Sequence, residues 1–172
     1  MGDKQRTLKA SVKLTGVGLH TGEKVNIEIC PAPDNHGYKF QRVDLDGQPT
    51  INADADLVVS TERGTTLEQN GARVYTTEHV LAALYGMEVD NALIKIDNPE
   101  IPIMDGSAWP FVQAIESVGY EEQTSERNYF YLNEVIPWED TEKGIEILAV
   151  PDSNYRITVM VDYKSPVLGT QH

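Results

Sequence analysis

The sequence predicts an α+β fold. Apolar residues alternate with polar ones in several short stretches, the period of a half-buried strand. Two other stretches carry apolar residues at helical spacing. Gly, Pro and Asn clusters separate them. The chain has 172 residues, room for one ordinary domain, or one complete domain and part of another.

Residues 7–14 alternate strictly. Leu8, Ala10, Val12 and Leu14 fall on one face, with Thr7, Lys9, Ser11 and Lys13 on the other. Val25, Ile27 and Ile29 alternate with Asn26, Glu28 and Cys30. These are two predicted strands. The link between them holds Gly16, Gly18 and Gly22, which suits a turn or bulge. A third strand is expected from Tyr38 to Val43, after the loop PAPDN. Residues 57–75 read as a strand, a loop containing Arg63 and Gly64, and another short strand.

The first helix is expected to start near Thr76 or Thr77, either of which can act as N-cap. Glu78 then falls in the first turn, where the helix dipole favours a carboxylate. Its apolar stripe is Val80, Leu81, Leu84 and Met87, and Gly86 lies near its end. Residues 91–97 form the next strand. A second helix is expected over 107–118, with Ser107 as N-cap, Pro110 in the first turn and Gly119 after the end. Its stripe is Phe111, Val112, Ile115 and Val118.

The polar segment 120–128 reads as a linker or domain boundary. The division is expected as a first α+β domain over 1–122, followed by a linker and the opening strands of a truncated second domain over 123–172. Strands are predicted at 129–138, 144–150 and 155–163. Ile157, Val159 and Val161 share a face that nothing later in the sequence covers. A sheet needs a surface to bury its apolar side, so these strands indicate a piece of something longer.

Composition narrows the function classes. Hydrophobic residues make up 40% and charged residues 24%, which argues against long disorder, collagen or low complexity. No apolar run approaches the roughly 20 residues of a membrane helix. The first twenty residues lack the apolar core and cleavage site of a signal peptide. Cys30, the sole cysteine, excludes an internal disulfide and a multi-cysteine zinc site, and a reducing, cytoplasmic setting is the simplest fit. Twenty-seven acidic residues against 14 basic ones give a net charge of -13. Such a chain repels nucleic acid and anionic lipid. Solubility is the bland reading of this acidity, and a locally positive pocket leaves a small anionic ligand open.

The adjacent pair Glu78–His79 carries the most suggestive chemistry. Neighbours on a helix differ by about 100° in direction, yet in a first turn both can reach a cleft at the helix end. The positive end of the dipole favours ionised Glu78 and neutral His79. Zinc hydrolases need that division: an imidazole that ligates and a carboxylate that takes a proton from water. The bland alternative is an ordinary helix start with a hydrogen-bonded histidine. A catalytic zinc takes about three protein ligands. His20 lies in a Gly-rich turn that can approach a cleft or serve structure alone, His36 sits in a polar loop, and His172 is the last residue. In PEIPIMDGSA at 99–108, Asp105-Gly106 turns the chain into the second helix, and Asp105 is either site wall or N-cap. Arg63 is either an anion contact or a solvated surface residue.

Three ordered stretches together resemble one family: QRTLKASVKLTGVGLHTGEKV at 5–25, TTEHVLAALYGMEVDN at 76–91 and PEIPIMDGSAWPFV at 99–112. They look like UDP-3-O-acyl-N-acetylglucosamine deacetylase, a zinc enzyme of lipid A biosynthesis in Gram-negative bacteria. The resemblance implies two similar layered sheet-and-helix sandwich domains with the active site between them. It implies that Glu78 matches the general base and His79 one zinc ligand. The other two ligands, a catalytic His and the hydrophobic passage for the acyl chain belong to the second domain and have no counterpart here. The implied function is an N-terminal fragment of a deacetylase acting on UDP-3-O-acyl-N-acetylglucosamine, inactive alone, with no nucleic-acid partner and no integral membrane segment. No residue of this chain is singled out for substrate binding. The alternative is a non-catalytic binding or regulatory module of the same fold. A kinase-like fold lacks support, because no GxxxxGK loop occurs.

Overall fold

The structure is a computed structural model and describes residues 3–163 and 165–172. It has two compact units, Met1–Arg127 and Asn128–His172. Among the described residues, mixed sheets and two α-helices make it α+β.

The first unit contains β1 (Lys4–Leu8), β2 (Val12–Val17), β3 (Lys24–Pro31), β4 (Tyr38–Arg42) and β5 (Thr50–Asn52). A single 3-10 turn, Ala55–Leu57, leads into β6 (Val58–Ser60), β7 (Thr66–Gln69) and β8 (Ala72–Val74). Then come α1 (Glu78–Gly86), β9 (Ala92–Ile96), α2 (Trp109–Val118) and β10 (Tyr120–Glu126).

The main sheet has the order β2-β3-β9-β4-β5. All its pairings are antiparallel except β4 with β9, which is parallel. Val25, Ile27, Ile29, Phe40, Ile51, Ile94 and Ile96 are buried from this sheet, as the alternation predicts. They join Val80, Ala83 and Leu84 of α1 and Phe111 and Ile115 of α2 in one core. Leu81, Met87, Val112 and Val118 pack at its margin. Fully burying each of these larger side chains contributes on the order of 1.5–3 kcal/mol.

Residues 7–14 are two strands rather than one. β1 ends at Leu8 and pairs with β10, whereas β2 pairs with β3, and Ala10 between them is exposed. The break occurs because β1 turns polar residues inward: Gln5 and Thr7 are buried. Asn91 is the hub of their hydrogen bonds. Its Nδ2 donates to Gln5 Oε1 at 2.8 Å and to Gln123 Oε1 at 2.7 Å, and its Oδ1 accepts from the Gly37 N–H at 2.8 Å. Thr7 Oγ1 donates to the Asn91 carbonyl at 2.7 Å.

The same network corrects the linker reading of 120–128. Through Glu126 this segment is strand β10, which crosses the expected 122/123 boundary. Polar side chains hold it in place. Gln123 Nε2 donates to the Ala32 carbonyl at 2.9 Å, and Thr124 and Ser125 donate to Asp34.

β6, β7 and β8 form a small antiparallel sheet. β7 and β8 are joined by Asn70-Gly71, both at positive φ (54° and 76°). Two such residues between paired strands make a type I′ hairpin turn, for which Asn-Gly is the favoured sequence.

In the second unit, β11 (Ile136–Asp140) pairs antiparallel with β12 (Ile145–Ala149), and β13 (Val161–Asp162) with β14 (Thr170–Gln171). Of the three strands expected here, 144–150 matches β12, whereas 129–138 and 155–163 are strand only over their last few residues. Ile157, Val159 and Met160 are exposed. Without a buried face, alternation does not fix a strand's register.

Candidate functional site

Four segments converge at the start of α1. The first is the helix itself, which opens with Glu78 and His79, both half-buried. The second is the loop 61–65 of the small sheet. The third is the turn after β2, which carries His20. The fourth is the Pro-rich stretch from Pro99 to Ser107.

The helix start differs from the expected cap. Thr77 occupies the N-cap position but makes no side-chain cap bond. Its N–H and hydroxyl both donate to the Thr65 carbonyl, at 3.3 and 3.1 Å. The hydroxyl of Thr76 donates instead to Glu100 Oε1 at 3.1 Å. Thr76 also has φ of 57°, rare for a β-branched residue and characteristic of over-determined functional segments. Both threonines hold neighbouring segments rather than cap α1.

Glu78 is fixed by the loop. The Thr65 N–H donates to Glu78 Oε2 at 2.9 Å. Gly64 lies directly over the carboxylate: a Cβ built there would be 3.0 Å from Glu78 Oε1. With φ of 140°, Gly64 also needs its conformational freedom.

The His79 side chain makes no hydrogen bond among the described residues. Asp105 is held below the usual carboxylate range first by the Ser107 hydroxyl and then by the Ser107 N–H, with His79 adding a smaller effect. Asp105 is therefore the acceptor of a local turn leading to α2. Ser107 Oγ in turn accepts from the Trp109 N–H at 3.1 Å, one position ahead of the N-cap residue Ala108.

His20 enters the site. Its Nε2 lies 2.8 Å from the Arg63 carbonyl. A carbonyl only accepts, so Nε2 carries the proton. The Arg63 side chain is exposed. A cleft of about 270 Å³ borders the site, lined by His20, Arg63, Gly64, Tyr75 and Thr76 among others. His36 lies on the loop before β4, with Nδ1 3.0 Å from the Gly37 carbonyl. His172 is exposed in the second unit, and Cys30 is buried in β3.

Glu100 escapes the sequence reading. It is fully buried. Its carboxylate accepts from the N–H groups of His20 and Thr21 and from the Thr76 hydroxyl. Burial, the largest single influence, pushes its pKa up. The donors from His20, Thr21 and Thr76 together outweigh it, and the group stays below its ordinary value. The only sequence signal is a carboxylate between two prolines.

The sequence model of the LpxC family, described as UDP-3-O-acyl N-acetylglycosamine deacetylase, matches residues 5–172. The chain belongs to this family. It is 49% identical over 168 residues to the bifunctional enzyme LpxC/FabZ of Bacteroides thetaiotaomicron, covering 98% of this chain and 36% of that protein. A second LpxC/FabZ, from Chlorobaculum tepidum, has the same identity and coverage. UDP-3-O-acyl-N-acetylglucosamine deacetylase of Idiomarina loihiensis is 45% identical over 167 residues, covering 96% of this chain and 54% of that protein. The chain thus spans about a third to half the length of these LpxC relatives.

Among the described residues, no three His, Cys, Asp or Glu side chains come together in a group able to hold a metal ion. No helix there is long and apolar enough to cross a membrane. The His79 imidazole is half-buried with uncommitted ring nitrogens, and the adjacent Glu78 carboxylate is anchored by a backbone N–H.

Proposed function

We propose that this chain supplies the general base and one zinc ligand of a deacetylase acting on UDP-3-O-acyl-N-acetylglucosamine in lipid A biosynthesis. The observation that carries the reading is the anchored Glu78 carboxylate beside the uncommitted His79 imidazole. Family membership and deacetylase-named relatives support it. The first unit then corresponds to one layered sheet-and-helix sandwich domain, and Asn128–His172 to the opening strands of a second, similar domain. The remaining zinc ligands lie outside this chain, which alone is inactive. A cytoplasmic setting fits the buried, unpaired Cys30.

His79 would hold zinc together with ligands from elsewhere in the whole protein. When bound, zinc contributes Lewis acidity toward a water and an amide carbonyl. Glu78 takes the proton of the attacking water through Oε1, while Oε2 stays fixed on the Thr65 N–H. That bond keeps the carboxylate from rotating away during proton transfer. The products are acetate and a free glucosamine amine.

The test uses the complete polypeptide that contains this chain. Glu78→Gln is expected to lower turnover by about 10²–10⁴-fold while retaining metal. His79→Ala is expected to lose metal affinity. Wild-type turnover in both variants rejects the assignment.

A further inference from the structure

We propose that Glu100 is a positioning residue of this site: its carboxylate clamps the His20–Thr21 turn to the entry of α1 and so sets the directions of His20 and Glu78. The inference rests on the reading of Glu78 as the base.

Glu100 is an unusual core residue. It is fully buried, with no basic side chain paired to it among the described residues. An unpaired buried carboxylate is costly unless donors satisfy it. Here the donors come from two distant segments. His20 N–H reaches Oε1 at 3.0 Å, Thr21 N–H reaches Oε2 at 2.8 Å, and Thr76 Oγ1 reaches Oε1 at 3.1 Å. The nearest of these in sequence is 24 residues away.

The clamp acts toward both His20 and Glu78. On one side it fixes the backbone of His20, whose ring then donates to the Arg63 carbonyl. Arg63 immediately precedes the glycine that overlies Glu78. On the other side it holds Thr76 in its left-handed conformation, two residues before Glu78. Backbone pairing supports that side: the Tyr75 N–H donates to the Pro99 carbonyl at 2.8 Å, and the Ile101 N–H to the Tyr75 carbonyl at 3.1 Å. Gly18 leaves the space the carboxylate occupies, since a Cβ there would overlap Glu100 Oε2 and Thr21 Oγ1. Small displacements of a catalytic group cost on the order of 100-fold in rate, so a clamp of this kind affects turnover more than ground-state binding.

Two measurements test it. The first is turnover of the complete polypeptide. Glu100→Gln, folded and with wild-type zinc content, is expected to lower kcat about 100-fold with KM changed less than about threefold. Glu100→Asp is expected to recover part of the loss. The second is the ring ¹⁵N signature of His20 in the labelled chain. It is expected to show one Nε2–H tautomer in the wild type and a tautomer mixture in Glu100→Gln. A folded Glu100→Gln with wild-type kcat and a wild-type His20 signature overturns the proposal. If that variant does not fold, Thr76→Val removes one donor and keeps the side-chain shape. It is expected to lower kcat about tenfold with His20 unchanged, and wild-type kcat there also overturns the clamp. An inactive wild-type polypeptide would remove the deacetylase reading, while the His20 signature would still decide the clamp.

Discussion

Thr65 holds Glu78 and its neighbour Thr77 through both of its backbone polar groups. The Thr65 N–H donates to Glu78 Oε2 at 2.9 Å, and the Thr65 carbonyl accepts from both donors of Thr77. Loop 61–65 and the first turn of α1 therefore move as one body. The carboxylate's position depends on that loop as much as on the helix.

Gly64→Ala tests this coupling. The new Cβ would sit 3.0 Å from Glu78 Oε1, at a backbone φ of 140° that alanine disfavours. The variant is expected to lose about 1–3 kcal/mol of stability. Urea unfolding measures it, together with faster hydrogen exchange at the Thr65 amide. An unchanged midpoint and unchanged exchange would mean the loop does not hold the carboxylate.

Gly18→Ala probes the neighbouring turn. Its φ lies outside the left-handed region, so the cost is purely steric: the Cβ would overlap Thr21 Oγ1 and Glu100 Oε2. Overpacking of this kind costs about 1–3 kcal/mol. Thermal unfolding is expected to show a lowered Tm. Gly22→Ala in the same turn meets nothing within 4 Å and serves as the comparison for backbone strain alone.

Asn91→Leu removes the hub of the polar network under β1 and β10. Gln5, Gln123 and the Gly37 N–H each lose a partner. Only Gln5 of these is buried, and its Oε1 keeps the Asn35 N–H as a donor, so a loss of about 1–3 kcal/mol is expected. Hydrogen exchange is expected to rise first along β10. Uniform exchange across the unit would argue against local control by Asn91.

The fate of β10 shows what the sequence conceals. Strands β2, β3, β4 and β9 and both helices are legible, because burial imposes period two or 3.6 on apolar residues. The Glu78–His79 pair is legible too, as a chemical pairing at a helix start. β10 is not, because hydrogen bonds from Gln123, Thr124 and Ser125 hold it rather than apolar contact. The break after Leu8 is hidden for the same reason: buried Gln5 and Thr7 invert the expected pattern. Glu100 is hidden because its partners lie 24 and about 80 residues away. The Asn70-Gly71 turn was readable and escapes only a coarser reading of 57–75.

Acid sensitivity follows from Asp34. The Thr124 hydroxyl, followed by the Ser125 donors, lowers its pKa from 3.8 to about 2. A pKa lower in the folded state gives stabilisation that is complete above the unfolded value and is lost as pH falls through the folded one. The window is therefore from about pH 4 down to about pH 2. Asp34→Asn is expected to flatten the stability profile in that window. Unfolding midpoints measured across it check this, and an unchanged slope would mean Asp34 contributes nothing there.

The central strand of the main sheet is the last of its five in sequence. β3 and β4 are consecutive in sequence, yet β9 lies between them, paired antiparallel to one and parallel to the other. Between β3 and β4 the sheet thus leaves a slot that only β9 fills. Without β9, its two arms present matching, unsatisfied backbone edges. Direct zipping of those arms would exclude β9 and leave α1 without its floor. Bringing β9 to β4 closes a loop of some fifty residues, whose entropy is lost before the new contacts form, and this slows folding of the sheet.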